Sequence, residues 1–139
     1  MNIEKLFEFI KERRGYDYPL RYKLLNGIEL TEGDLTVNGD LNLILYKLSS
    51  LPDNLRVKGD MWLDYSDRIF SLPDNLHVGG NLSIEFTDIS SIPNNLYVGG
   101  NFGVRYTPLA ELYTKEQILK MIDVKGGNIG GVTIWTPLI

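Results

Sequence analysis

Two phrases return along this chain on a single beat. Val37-Asn38-Gly39-Asp40-Leu41 recurs as Val57-Lys58-Gly59-Asp60-Met61, as Val78-Gly79-Gly80-Asn81-Leu82 and as Val98-Gly99-Gly100-Asn101-Phe102, at steps of 20, 21 and 20 residues. Leu51-Pro52-Asp53-Asn54-Leu55 recurs as Leu72-Pro73-Asp74-Asn75-Leu76 and Ile92-Pro93-Asn94-Asn95-Leu96. A fixed period of this length marks a repeat architecture, in which no unit buries its apolar side alone and stacked units share one core.

Each unit has a physical reading. Leu55 and Val57 alternate with Arg56 and Lys58, and Met61 and Leu63 with Trp62 and Asp64, so two short strands per coil each turn one apolar face inward. Gly59-Asp60 is expected to form the turn between them, with glycine supplying positive φ. Pro73 has no N–H and suits a corner. Stacking coils ~4.8 Å apart predicts five interior files: Leu35/Leu55/Leu76/Leu96, Val37/Val57/Val78/Val98, Leu41/Met61/Leu82/Phe102, Leu43/Leu63/Ile84/Val104 and Leu48/Ile69/Ile89/Leu109. The extra residue of the Met61 coil is expected in its return arc, at Ser66-Asp67-Arg68, where insertions disturb no ladder.

The flanks read as caps. Ile3, Leu6, Phe7 and Ile10 have helical spacing, with Asn2 as N-cap and Gly15 as stop. Ile28 and Leu30 look like a degenerate first coil. Pro108 ends the last regular coil, and Thr114-Lys115-Glu116-Gln117 fits a capping box opening a helix that carries Ile118, Met121 and Ile122. Gly126-Gly127 leads to a last apolar stretch around Ile129 and Val132-Thr133-Ile134-Trp135. The fold class expected is α+β, mainly β: a short solenoid forming one domain over residues 1–139, with an N-terminal cap over 1–30, repeats over 31–109 and a C-terminal cap over 110–139.

Composition removes several functions. Hydrophobic residues make up 43% and charged residues 23%, which argues against disorder. There are 0 Cys and 1 His, so thiolate chemistry and sites needing two imidazoles are out. The net charge of −4 disfavours a nucleic-acid binder. No apolar run is long enough to cross a membrane. Met1-Asn2-Ile3-Glu4-Lys5 is not a charged-then-apolar signal peptide, and a cytoplasmic protein is expected.

The unit from Gly80 through Asn81-Leu82-Ser83-Ile84 to Ile92-Pro93 resembles a leucine-rich repeat in its L-x-L core and following L-x-x-L-P. It departs where that family has Asn, reading Tyr46, Ser66, Thr87 and Thr107; a full Asn ladder is absent there, and a hydroxyl is left to reach a neighbouring coil. The short period and Leu-Pro phrase are similar to repeats of secreted bacterial effectors. The Val-Gly-Gly-Asn/Asp-Leu phrase with a C-terminal helix and Gly-Gly is more similar to small repeat proteins of tailed bacteriophages. That resemblance implies a host-cell cytoplasm and a role in binding a host or viral protein, as an inhibitor of a defence system.

The candidate binding residues face outward at the second strand and its end. Leu45, Tyr65, Phe86 and Tyr106 form one file; it is either a contact surface or a support packed on the return arcs. Trp62 lies between the smaller Asn42 and Ser83 and points outward, as a contact residue or as a ring lying flat over adjacent coils. Asp64, Glu85 and Arg105 share a further file. Its carboxylates resemble an acid–base pair, but Arg105 balances them and no pocket is implied. The protein-binding set is therefore Trp62, Asp64, Tyr65, Glu85, Phe86, Arg105 and Tyr106. His77 reads as a surface histidine beside Arg56 and Tyr97. The glycine pairs at 79–80, 99–100 and 126–127 are turns and not phosphate cradles, lacking the helix and Lys that such cradles use. The apolar tail from Val132 to Ile139 either folds over the last coil or adds a strand to a second chain as a homo-oligomer.

No nucleophile–base set or metal cluster is identifiable, so the expectation is a non-enzyme with no cofactor and no metal. The alternative is a protein that sequesters a small ligand or nucleotide-like signal, with Arg56, Lys58 and Arg105 as the strand cations.

Overall fold

The computed structural model describes Ile3 and residues 19–122, Lys115 by its backbone alone. The chain divides into two compact units, residues 1–30 and 31–139. The first predicted helix, apart from Ile3, and the tail beyond Ile122 lie outside the described residues, as do the glycine pair at 126–127 and the proposed oligomerising strand.

In the first unit a helix unforeseen from the sequence, α1, covers Leu20–Asn26. It ends on Gly27 at φ 63, and the Ile28 N–H donates to the Lys23 carbonyl at 3.0 Å, a left-handed glycine stop. Ile28 and Leu30 carry no strand pairing among the described residues, so the expected degenerate coil is not formed there.

The second unit is a parallel β-solenoid of about three turns. A 3-10 turn, Glu32–Leu35, leads into β1 (Thr36–Val37) and β2 (Leu41–Asn42). The following coils repeat the pair as β3 (Arg56–Val57) and β4 (Met61–Trp62), β5 (His77–Val78) and β6 (Leu82–Ser83), and β7 (Tyr97–Val98) and β8 (Phe102–Gly103). Two parallel sheets result, in the orders β1-β3-β5-β7 and β2-β4-β6-β8. The register joins Val37, Val57, Val78 and Val98 in one row and Leu41, Met61, Leu82 and Phe102 in another. The second ladder runs on past its strands: Leu43 N–H donates to the Trp62 carbonyl at 2.8 Å and Leu45 N–H to that of Asp64 at 3.1 Å.

The interior files are as the spacing requires. Leu55, Val57, Leu63, Ile69, Leu76, Val78, Ile84, Ile89, Leu96, Val104 and Leu109 are all fully or nearly fully buried. Leu35 and Val37, on the first coil, are half-buried. The extra residue lies in the turn at Asp67-Arg68, both exposed, between buried Ser66 and buried Ile69. At the far end Thr107 caps α2 (Pro108–Leu112), its hydroxyl accepting the Ala110 N–H at 3.2 Å. Thr114 and Gln117 form the expected capping box of α3 (Lys115–Met121), bonded at 3.2 and 2.9 Å. Ile118 and Ile122 are buried, but Met121 is exposed.

Two local expectations are corrected. Gly59, Gly80 and Gly100 do not have positive φ. They are required because a Cβ on Gly80 would collide with the Asp60 carboxylate and come within 3.0 Å of the Gly59 backbone in the coil before. The space left open lets the Asp60 carboxylate accept the Asn81 N–H at 2.6 Å, as Asp40 accepts that of Asp60 at 2.7 Å and Asn81 that of Asn101 at 2.8 Å. Second, the hydroxyls of Thr87 and Thr107 donate within their own coil, to Ile84 and Val104 carbonyls at 2.7 Å; only Ser66 turns to the coil before, at 3.4 Å from the Tyr46 carbonyl. An asparagine ladder stands at a different place, the Pro-Asp-Asn corner. Asn75 Nδ2 donates to Asn54 Oδ1 at 2.8 Å and Asn95 Nδ2 to Asn75 Oδ1 at 2.9 Å. Beside it Asp53 accepts the Asp74 N–H at 2.9 Å, and Asp74 that of Asn94 at 3.2 Å.

Candidate functional site

Among the described residues, those with positive φ other than glycine fall into two files. One is Asn54, Asn75 and Asn95, at φ 65, 60 and 57. The other is Leu45, Tyr65, Phe86 and Tyr106, at φ 65, 62, 58 and 58. Asparagine tolerates the left-handed region; bulky side chains do so at a cost of about 1–2 kcal/mol each. Leu45 stands third in a turn closed by the Tyr46 N–H donating to the Leu43 carbonyl at 3.2 Å, and Ser66 closes the next one onto Leu63 at 3.2 Å. Glycine or asparagine is the usual occupant of that position when φ is positive.

These costly side chains point out of the core. Leu45 is 69% exposed, Tyr65 52%, Phe86 41% and Tyr106 45%. Of the two readings left open for this file, exposure favours a place at the surface. The three rings stack: Tyr65 and Phe86 centroids are 4.6 Å apart at 8°, and Phe86 and Tyr106 are 4.6 Å apart at 25°. The stack follows from the ladder, since Tyr65 N–H donates to the Glu85 carbonyl and Phe86 N–H to that of Arg105, both at 3.1 Å. Both faces of Phe86 are covered by its neighbours. The file therefore offers ring edges outward, a geometry unsuited to stacking a sugar or a base onto Phe86.

The other candidate residues border this stripe. Asp64 Oδ1 accepts the Ser83 hydroxyl at 2.5 Å and the Glu85 N–H at 3.0 Å. Glu85 Oε1 lies 3.9 Å from Arg105 Nε, a loose ion pair. Asp64, Glu85 and Arg105 are half-buried, so Asp64 acts first as a bracket between coils. Trp62 sits in register between Asn42 and Ser83 and is half-buried rather than fully solvent-facing.

His77 lies in register with Arg56 and Tyr97 as expected, and stacks on Tyr97 at 4.3 Å and 10°. Its Nδ1 is buried and has no hydrogen-bond partner among the described residues. Burial, and then the nearby Arg56 guanidinium, hold the imidazole below its ordinary value of 6.5.

Sequence reasoning missed one feature: an open groove of about 400 Å³ along the Leu-Pro corner. Ser50, Ser71 and Ser91 line it with Leu51, Leu72 and Ile92, and with Asp53, Asp74 and Asn94. The repeat of Ser ahead of Leu-Pro-Asp was the available signal. No Lys or Arg lines it. Among the described residues no group of three His, Asp or Glu side chains is placed to hold a metal ion, and no helix is long and apolar enough to cross a membrane.

Family models, curated proteins and solved structures were compared with this chain, and none matches. The fold therefore defines the class: a short β-solenoid built of repeated coils.

Proposed function

We propose that this solenoid is a non-catalytic protein-binding module whose contact surface is the Tyr65/Phe86/Tyr106 stripe with Trp62, Asp64, Glu85 and Arg105 around it. One observation carries the reading. Aromatic residues occupy left-handed positions where asparagine would cost less, and they do so facing solvent. The Asn54/Asn75/Asn95 file shows that the same backbone is built in this chain with the favoured residue. Exposed aromatic clusters are what protein interfaces use as anchors.

The host-directed form of the proposal is a phage accessory protein that binds and inhibits a host defence protein in the host cytoplasm. It rests on the likeness of the Val-Gly-Gly-Asn-Leu and Leu-Pro phrases. The alternative, a small-ligand binder, has the corner groove as its place, but a phosphate there would meet Asp53 and Asp74 and no cation.

The test is affinity capture with the intact protein and with a Tyr65→Ser/Phe86→Ser/Tyr106→Ser variant of unchanged circular dichroism and cooperative melting. A single protein partner lost by the folded variant supports the reading, and Trp62→Ala should weaken the same capture. A partner retained in full by the triple variant refutes it.

A further inference from the structure

We infer that residues 122–129 of this chain form a fifth coil, docked on the open edge of β7 and β8 with Ile129 seated on Phe102. The inference stands apart from the binding role proposed above. It begins in the sequence. Ile122-Asp123-Val124-Lys125-Gly126-Gly127-Asn128-Ile129 repeats Leu55-Arg56-Val57-Lys58-Gly59-Asp60-Met61, with one glycine added at the turn. Its second half, Gly126-Gly127-Asn128-Ile129, has the form of Gly79-Gly80-Asn81-Leu82 and of Gly99-Gly100-Asn101-Phe102. The step from Gly99 to Gly126 is longer than the regular beat, and α2 and α3 lie within it. Ile122 leaves α3 with an extended backbone, φ −83 and ψ 117, and is buried as Leu55, Leu76 and Leu96 are.

The fourth coil has the backbone groups that such a coil would use. In the first sheet each coil's carbonyls accept from the coil that follows, Leu76 from the Tyr97 N–H at 3.0 Å and Val78 from the Gly99 N–H at 2.9 Å. In the second sheet each coil's N–H groups donate to the coil that follows, Leu82 to the Asn101 carbonyl and Ile84 to that of Gly103, both at 2.9 Å. The equivalent groups of the fourth coil, the Leu96 and Val98 carbonyls and the Phe102 and Val104 N–H groups, bond to no described residue. Asn101 is the next bracket after Asn81, whose amide oxygen accepts the Asn101 N–H at 2.8 Å. An open parallel edge pairs with whatever strand reaches it. Only residues 123–125 separate Ile122 from the glycine pair, so this chain's own segment reaches the edge at a far higher effective concentration than that of a second copy. Seated there, Val124 joins the file of Val57, Val78 and Val98, and Ile129 that of Met61, Leu82 and Phe102, giving the solenoid end the cover it requires.

The chain has 0 Cys, so an engineered pair reads the register directly. Mild oxidation of Asn101→Cys/Asn128→Cys should give a monomer with one internal disulfide, because neighbouring rungs place Cα atoms ~4.8 Å apart, within disulfide range. The out-of-register pair Asn101→Cys/Asp123→Cys should cross-link at least about tenfold more slowly. In the unsubstituted protein the Phe102 and Val104 amides should exchange hydrogen within about tenfold of the Leu82 and Ile84 rates. A disulfide-linked dimer would show a second copy's segment on the edge and overturn docking within one chain. Equal cross-linking of the two pairs, or none from either, overturns the register. Phe102 and Val104 amides that exchange faster than that limit overturn the fifth coil itself, and this measurement decides the matter even where the cysteine variants fail to fold.

Discussion

Asn75 and Phe86 lie on the same coil with nearly the same left-handed backbone, φ 60 and φ 58, and only Asn75 is a residue that this conformation favours. Asn75 recovers the cost of its ordered side chain through amide bonds to Asn54 and Asn95 at 2.8 and 2.9 Å. Phe86 has two ring neighbours and an exposed edge.

That contrast sets the first prediction. Leu45 shares the strained φ but is not part of the ring stack, so Leu45→Asn should stabilise the fold by about 0.5–1 kcal/mol. Phe86→Asn gains the same relief but loses two stacked contacts worth about 0.5–1.5 kcal/mol each, and should come out near neutral or destabilising by about 1 kcal/mol. Urea denaturation of the two variants checks the ordering. A Phe86→Asn protein more stabilised than Leu45→Asn would mean that the stacking contributes nothing.

The glycine column gives a paired test. Gly80→Ala would drive a Cβ into the Asp60 carboxylate and the Gly59 backbone and should cost about 1–3 kcal/mol. Gly39 holds the same place in the repeat, yet a Cβ there meets nothing within 4 Å. Gly39→Ala should be neutral within about 0.5 kcal/mol, since it lies away from packed features. Thermal melts of both proteins check the pair.

Loss of the amide ladder should be partly recoverable. Asn75→Ala removes two hydrogen bonds and a side chain tolerant of positive φ, for about 2–3 kcal/mol in all. Asn75→Gly should recover about 1 kcal/mol of that, because glycine restores the backbone freedom but not the bonds.

Stability should depend on pH through His77. Its folded-state value is lowered, by burial first and then by Arg56, so the unfolded chain takes up the proton before the folded one. The contribution is complete above the unfolded value of 6.5 and is lost as pH falls from there through the lowered folded value. His77→Phe keeps a ring against Tyr97 and should flatten this part of the profile. Urea midpoints of both proteins above and below that window provide the measurement.

The interior belongs to the interior files, and Leu63→Ala should cost about 2–5 kcal/mol because Leu63 is fully buried between coils. A loss of that size at Leu63 beside a near-neutral Phe86→Asn would separate core from contact surface in one set of melts.

The twenty-residue beat, by itself, determined the solenoid, the pairing of coils and the inward files, because a fixed period stacks equivalent side chains whatever the detailed backbone. It also placed the inserted residue in the arc at Ser66-Asp67-Arg68, since only an arc can lengthen without shifting a ladder, and the structure narrows this to Asp67-Arg68. It did not reveal why glycine stands at 59, 80 and 100, because the collision is with a side chain nineteen or twenty residues earlier, and only stacked coordinates bring the two together. Nor did it reveal which residues take the left-handed turns. Composition assigns those to glycine, whereas the structure gives them to Asn54, Asn75, Asn95, Leu45, Tyr65, Phe86 and Tyr106, since backbone direction at a corner is set by the bonds each coil makes to the next. The sequence could place four large side chains in a row; that they stand exposed at backbone cost, with rings stacked edge-outward, was decided by tertiary structure alone, because stacking and exposure are properties of neighbouring coils and not of any one of them.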